Sequence, residues 1–286
     1  MLDSVLTVIL SGLTMGAIYA LVAEGLNLIW GVMGLVNLAH GEFLMLGTYL
    51  TFFTWAGFGL NPLASVIFSF AILFLVGMAL NKAIIRHVIG APPLMSMLLT
   101  FGLSICLTNL GVIVFGGKLR TVRFLTETWD LWGVRIPQAR LVAAVVAIVI
   151  SLVMYIFLKR SRLGVAIRAV VIDRVMAEEC GVNTGRIYTI TLGLGAGLAA
   201  VAGSLVSTIF AFNPLIGQTF ILKAFAVVVL GGMGNFLGAL LGGLTMGVVE
   251  AAVGFFYNVH LSEAISFLVI ILTLLLRPSG LLGGEQ

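Results

Sequence analysis

Glu24, His40, Glu42, Lys223 and Glu250 stand within or at the edges of long apolar runs. A charge near the centre of a bilayer costs at least about 2.5–3.5 kcal/mol, so each of these side chains needs water, a partner or a substrate beside it. Lys223 and Glu250 are opposite in sign and are expected either to reach the membrane surface or to pair with each other. Glu24 closes the first apolar run and is expected at its inner end, near the interface. His40 and Glu42 flank Gly41, where a proton relay or a substrate contact is conceivable; a satisfied buried imidazole is the plainer alternative for His40. Other chemistry is missing. No H-E-x-x-H or G-x-S-x-G occurs, and His40, His87 and His260 are far apart, so no metal or nucleophile site assembles from a local motif. Gly117-Lys118 is followed by Leu119 where a phosphate-binding loop needs Ser or Thr. ATP hydrolysis, if the protein uses it, belongs to a separate subunit, and no cofactor is expected on this chain.

The elements that must position these residues follow from composition. The 286 residues are 61% apolar and 9% charged, against about 25% charged in soluble domains. Residues 43–81, 90–117, 141–158 and 187–222 contain no Lys, Arg, Asp, Glu or His, and about 20 such residues make a spanning helix. The expected fold is an all-α polytopic membrane protein of eight to nine transmembrane helices with Gly-rich broken or re-entrant segments. Residues 1–286 are expected to form one transmembrane domain. Spans are predicted near 5–23, 38–56, 62–81, 94–115, 141–158, 188–210 and 264–277, with a longer Gly-broken segment across 221–253. The opening MLDSVLTVIL has no basic residue, so no cleavable signal peptide is expected. The net charge of +4 is carried mostly between apolar segments, which fits membrane topology and not nucleic acid. Cys106 and Cys180 imply neither a disulfide framework nor a metal pair.

Two stretches do not read as plain spans. Residues 25–41 carry Gly, Asn and His in an apolar context, and 221–253 is too long for one helix and contains Gly231-Gly232-Met233-Gly234-Asn235. Irregular backbone at membrane depth is tolerated only in protein or beside a wet cavity, so both are candidate pathway segments. Gly12-x-x-x-Gly16 and Gly193-x-x-x-Gly197 each open a span upstream of one such stretch, which hints at an internal repeat. Thirty-five glycines, with Gly234, Gly238 and Gly242 four apart, suit close helix packing; a moving gate on the same glycines is the alternative.

The loops set the orientation. Lys159, Arg160, Arg162, Arg168, Arg174 and Arg186 lie in 159–186, and Lys82 and Arg86 in 82–87, which places both on the cytoplasmic side. The loop 116–140 is then external, although it too is basic. Residues 163–181 alternate apolar and charged positions at helical spacing, with Gly181 placed to end a helix. A short cytoplasmic helix is expected there, either lying on the membrane or docking a soluble partner.

Taken in order, Gly16-Ala17-Ile18-Tyr19-Ala20-Leu21, Gly25-Leu26-Asn27-Leu28-Ile29-Trp30-Gly31-Val32-Met33-Gly34, Asn37-Leu38-Ala39-His40-Gly41-Glu42, Arg168-Ala169 with Asp173, Ala177 and Gly181-Val182-Asn183, Val229-Leu230-Gly231-Gly232-Met233-Gly234, and the closing Arg277-Pro278-Ser279-Gly280-Leu281 resemble the permease subunits of branched-chain amino-acid ABC importers. The resemblance covers nearly the whole chain. It implies a second homologous permease, two cytoplasmic ATPases that hold ATP and Mg, and a periplasmic or extracellular substrate-binding protein, in a bacterial inner membrane. It places Arg168, Asp173, Ala177 and Gly181 on the coupling segment within 159–187. Asn37, His40, Gly41 and Glu42, with Gly231, Gly232 and Gly234, fall near the translocation path. Glu24 is a departure, since the family pattern has a small or apolar residue there. The implied cargo is a branched-chain or other apolar amino acid, with urea or short amides as related alternatives. An ion-coupled secondary transporter or channel, using Glu24, Glu42, Lys223 and Glu250, is the rival from another class, and a purely structural membrane subunit is a third.

Overall fold

The computed structural model describes residues 2–131, 134–277 and 279–282. Its helices are α1 (Leu2–Met33), α2 (His40–Phe58), α3 (Pro62–Ala83), α4 (Pro93–Phe115), α5 (Gln138–Arg160), α6 (Arg162–Ile172), α7 (Arg174–Glu179), α8 (Thr184–Ser207), α9 (Ile216–Gly231), α10 (Phe236–Phe256) and α11 (Val259–Leu276). A short antiparallel hairpin, β1 (Thr128–Leu131) with β2 (Val134–Pro137), follows α4. Among the described residues six helices are long and apolar enough to cross a membrane, and α9 and α11 are shorter apolar helices; α2 adds a further 19-residue helix. Helices dominate because lipid offers backbone amides no partner, so each must be paired within its own segment. The ends are cut where the turn chemistry predicts. Asn61 caps α3 by accepting from the Leu63 amide at 2.9 Å, Pro62 occupies the first turn, and Gly59 closes α2 in the left-handed region (φ 65°). The chain is a multi-pass membrane protein.

Contacts between loops assign the ends of the helices to two sides. Lys159, Arg168, Gly31, Gly234 and Asn235 line one cavity, and Lys82, Arg86, Arg174 and Arg186 line another. The C-terminal ends of α1, α3, α5 and α9 therefore share a side with α6 and α7, the side rich in Lys and Arg. On the opposite side Tyr49 stacks on Phe115, with ring centroids 4.0 Å apart, and meets Phe212 edge-on. There Arg120 and Phe212 also exchange backbone hydrogen bonds at 2.9 Å.

The order α1–α2–α3 recurs as α8–α9–α10. Each first helix ends in a non-helical stretch, 34–39 or 208–215, and each third helix is capped by an Asn, Asn61 or Asn235. The two triplets run in opposite directions through the membrane. α1 packs along α10 and α8 along α3, so the halves exchange partners. Gly12 and Gly16 lie against Val248 and Gly243 of α10, while Gly193 and Gly197 lie against Phe74 and Phe70 of α3. The glycine repeat in the sequence thus marks the corresponding face of each half. α8 is buried along nearly its whole length and forms the hub.

Three expectations need correction. Residues 25–33 are not irregular: α1 continues to Met33, because Gly25 packs on the Gly195 carbonyl and its neighbours stay helical, and only 34–39 leaves the helix. Glu24 is consequently not at an interface but well inside α1 and fully buried. The segment 163–181 is two helices, because the Asp173 side chain accepts from the Met176 amide at 3.0 Å and caps α7, interrupting the run. The predicted break in 221–253 is present at 232–235, with Gly232 (φ 103°) and Gly234 (φ 83°) in the left-handed region. Pro278 of the closing motif lies outside the described residues.

Candidate translocation site

The first turns of α2 and α9 meet in contact. A Cβ on Gly41 would lie 2.3 Å from the Gly217 carbonyl oxygen, and one on Gly217 would lie 2.5 Å from that of Gly41. Only two glycines allow this approach. Glu42, one residue on, accepts from the Ser104 hydroxyl of α4 at 3.0 Å through Oε1, while its buried Oε2 has no hydrogen-bond partner. His40 Nε2 lies 3.0 Å from the Val22 carbonyl oxygen. A carbonyl can only accept, so Nε2 carries a proton, and the buried Nδ1 is left unpartnered. Asn37 Oδ1 accepts from the Ala39 amide at 3.2 Å. Thr100 of α4 holds the connecting strand, accepting from the Leu38 amide and donating to the Val36 carbonyl. The structure therefore gathers Asn37, His40, Gly41 and Glu42 at one helix start, and α9 supplies its counterpart in Gly217 and Gln218.

Lys223 and Glu250 do pair, and Lys223 also donates to the Tyr19 hydroxyl at 2.9 Å. Beside them is a cavity of about 260 Å³ between α9 and α11, lined by Gln218, Thr219, Leu222, Lys223, Glu263, Ser266 and Phe267. Sequence reasoning missed Gln218, Thr219, Glu263 and Ser266. Their spacing, 218-219-222-223 and 263-266-267, is a helical stripe on each element that a period count would have found.

The turn 232–235 is clamped by Asn27 of α1. Asn27 Oδ1 accepts from the Gly234 amide at 2.6 Å, and Nδ2 donates to the Asn235 carbonyl at 2.7 Å. Gly231 and Gly238 face each other so closely that a Cβ on either would clash with the other's carbonyl, and Leu281 donates its amide to Leu230. The turn is thereby fixed to α1 and to the chain after α11.

On the basic side, α6 is held to the end of α5. The Arg168 guanidinium donates to the Leu158 carbonyl, and Gly164 packs on the same group. A cation is favoured there, since terminal helix carbonyls are unpaired and partly negative. Ala177 is buried and Gly181 turns the chain at φ 84°. Glu178 accepts from the Thr184 hydroxyl and pairs with Arg174 at 3.1 Å, which holds its carboxyl below the usual range. Ile172 (85% exposed), Val175 and Met176 project outward. Elsewhere, Glu24 Oε2 accepts from the Ser151 hydroxyl of α5 at 2.7 Å, and its Oε1 is buried without a hydrogen bond. No cluster of three or more metal-ligating side chains occurs among the described residues.

With this geometry in view, the family described as "Branched-chain amino acid transport system / permease component" matches residues 8–274. The chain belongs to that family. It is 32% identical to the high-affinity branched-chain amino acid transport system permease protein LivH of Salmonella typhimurium, over 96% of this chain and 94% of that one. It is 33% identical to BraD of Pseudomonas aeruginosa, over 97% and 95%. LivM of Salmonella typhimurium is 28% identical over 94% of this chain and 68% of its own length. A solved structure, PsaBC from Streptococcus pneumoniae in complex with Fab, aligns over 94% of the chain with a TM-score of 0.49 and 15% identity. This permease is a transport subunit, not an enzyme.

Proposed function

We propose that this permease is one of two related membrane subunits of an ATP-driven importer in a bacterial inner membrane, forming half of the path for branched-chain or other apolar amino acids. Its partners on this reading are the second permease, two cytoplasmic ATPases carrying ATP and Mg, and a substrate-binding protein on the far side. The chain's similarity to both LivH and LivM, each named as a permease protein of a branched-chain system, supports a pair of homologous subunits.

The observation that carries the proposal is the α6–α7 unit. It is rigidly seated on α5 through Arg168 and Gly164, yet presents Ile172, Val175 and Met176 to the basic side. An apolar face on a charged cytoplasmic segment suits a helix-in-groove contact with a soluble subunit. Movement of that subunit would be passed to α5 and, through the packing of α6 on α1 and the hydrogen bonds of Asn27 to the Gly234–Asn235 turn, to the ends of α1 and α9. Asp173, Ala177 and Gly181 shape the docking unit. Arg168 is a positioning residue in this scheme.

The path is assigned to the α2–α9 crossing with Asn37, His40, Gly41 and Glu42, and to the turn with Gly231, Gly232 and Gly234. Helix starts carry a partial positive charge and free amides, suited to a substrate carboxylate. The permease need bind only weakly if the binding protein supplies the affinity.

The test is purification of the tagged chain from native membranes in mild detergent, followed by mass spectrometry. Stoichiometric recovery of an ATPase and a second permease is expected. Recovery of the chain alone would favour an ion-coupled transporter acting through its intramembrane carboxylates. In reconstituted complex, Ile172→Asp is expected to reduce uptake at least about tenfold, the loss of one contact at the docking surface, and Arg168→Glu is expected to reduce it comparably by unseating α6 from the end of α5. Ile172→Asp should release the ATPases on size exclusion, whereas Arg168→Glu should leave them bound but hydrolysing ATP without transport. Unchanged uptake in both variants would remove the docking role from α6–α7.

A further inference from the structure

The cavity between α9 and α11 opens on the outside of the chain, and its largely apolar lining carries several polar side chains. Gln218, Thr219 and Glu263 are exposed there, and the Lys223 side chain is 12% exposed. Lipid is a poor neighbour for such groups, so this face meets water, the second permease or a solute. Three features point to a solute. Ser266 is 2% exposed and its hydroxyl has no hydrogen-bond partner, although it lines the cavity. The Lys223 ammonium has three protons and spends two on Tyr19 and Glu250, leaving one donor for the cavity. The third feature is the mixture of types: a cation, an acid in Glu263, hydroxyls in Thr219 and Ser266, and apolar walls in Leu222 and Phe267.

We propose that this groove is a transient subsite for a zwitterionic amino acid with an apolar side chain, on the wall of the path. The substrate carboxylate takes the free Lys223 donor and the Ser266 hydroxyl, its ammonium faces Glu263, and its side chain lies between Leu222 and Phe267. At about 260 Å³ the cavity is below the roughly 300–1,000 Å³ usual for drug-sized ligands, which suits a single amino acid. Gln218 ties the groove to the α2–α9 crossing, since it follows Gly217 as Glu42 follows Gly41. This inference rests on the importer reading and names the substrate contacts within it.

The experiment is uptake of leucine and of alanine by the full complex in proteoliposomes, with ATP hydrolysis followed in parallel. Glu263→Gln and Ser266→Ala are expected to lower leucine transported per ATP by about tenfold or more, as for loss of a hydrogen bond to a charged group, with ATP hydrolysis retained. Leu222→Trp, which narrows the groove, is expected to lower leucine uptake at least fivefold more than alanine uptake, a change of selectivity that a structural defect would not produce. Equal loss of both amino acids in Leu222→Trp, or unchanged transport in Glu263→Gln and Ser266→Ala, would overturn the subsite. So would loss of the second permease from the complex in all three variants, which would make the groove a subunit interface. A wild-type complex that transports no amino acid at all would instead overturn the importer reading.

Discussion

Lys223→Met is expected to destabilise the protein by about 3–5 kcal/mol, the cost of leaving one member of a buried ion pair without its counter-charge. Glu250 Oε1 has Lys223 as its partner, Oε2 has no hydrogen bond, and the pair is only slightly exposed. The Tyr19 hydroxyl also loses its donor. The double variant Lys223→Met/Glu250→Leu is expected to recover most of that stability, because two apolar residues of similar volume need no compensation in an apolar surround. The check is a double-mutant cycle on thermal unfolding of detergent-solubilised protein. A single variant as stable as the wild type would show that the pair does not hold α9 to α10. Transport should stay low in the stable double variant if Lys223 serves the path, which separates its structural and functional parts.

Gly41→Leu is expected to abolish the folded protein, with a cost above about 3 kcal/mol, beyond the usual range for overpacking a core. The first added carbon already falls 2.3 Å from a carbonyl oxygen and 2.8 Å from its carbon, both backbone atoms of Gly217, so no side chain can turn aside. Moving the backbone would separate α2 from α9 and withdraw Glu42 from Ser104. Gly217→Leu should behave alike, since the contact is mutual. Gly102→Ala is the control: it sits within α4 with nothing within 4 Å of a built Cβ, and it should be neutral or stabilising by about 0.5–1 kcal/mol. The measurement is the yield of monodisperse protein and its melting temperature. A well-folded Gly41→Leu protein would mean that the two helix starts do not touch.

Much of the fold was legible along the chain. Runs without charge gave the spans, and Gly59, Asn61-Pro62 and Gly232 gave their ends, because both signals are local. The pairing of Lys223 with Glu250 was legible in outline from the cost of burying either charge alone. The α1 extension through Gly25–Met33 was not. Gly and Asn weaken a helix in isolation, yet here Gly25 buys proximity to Gly195 and Asn27 clamps a distant turn. The same holds for Glu24, whose partner Ser151 is 127 residues away.

Composition, periodicity and motif order by themselves determined that this protein is a helical membrane permease, that its chain breaks near 57–62 and 231–235, and which segment lies on the basic side with an apolar face. These depend on the transfer of each residue to lipid and on backbone geometry at Gly, Asn and Pro, which neighbours in sequence decide. Only the tertiary structure decided that the two halves run in opposite directions and exchange partners, that Gly41 meets Gly217, and that Gln218, Lys223, Glu263 and Ser266 share one groove. Those contacts join residues far apart in the chain, and the energy that selects them is the close packing and mutual satisfaction of polar groups, which exists only once the helices are together.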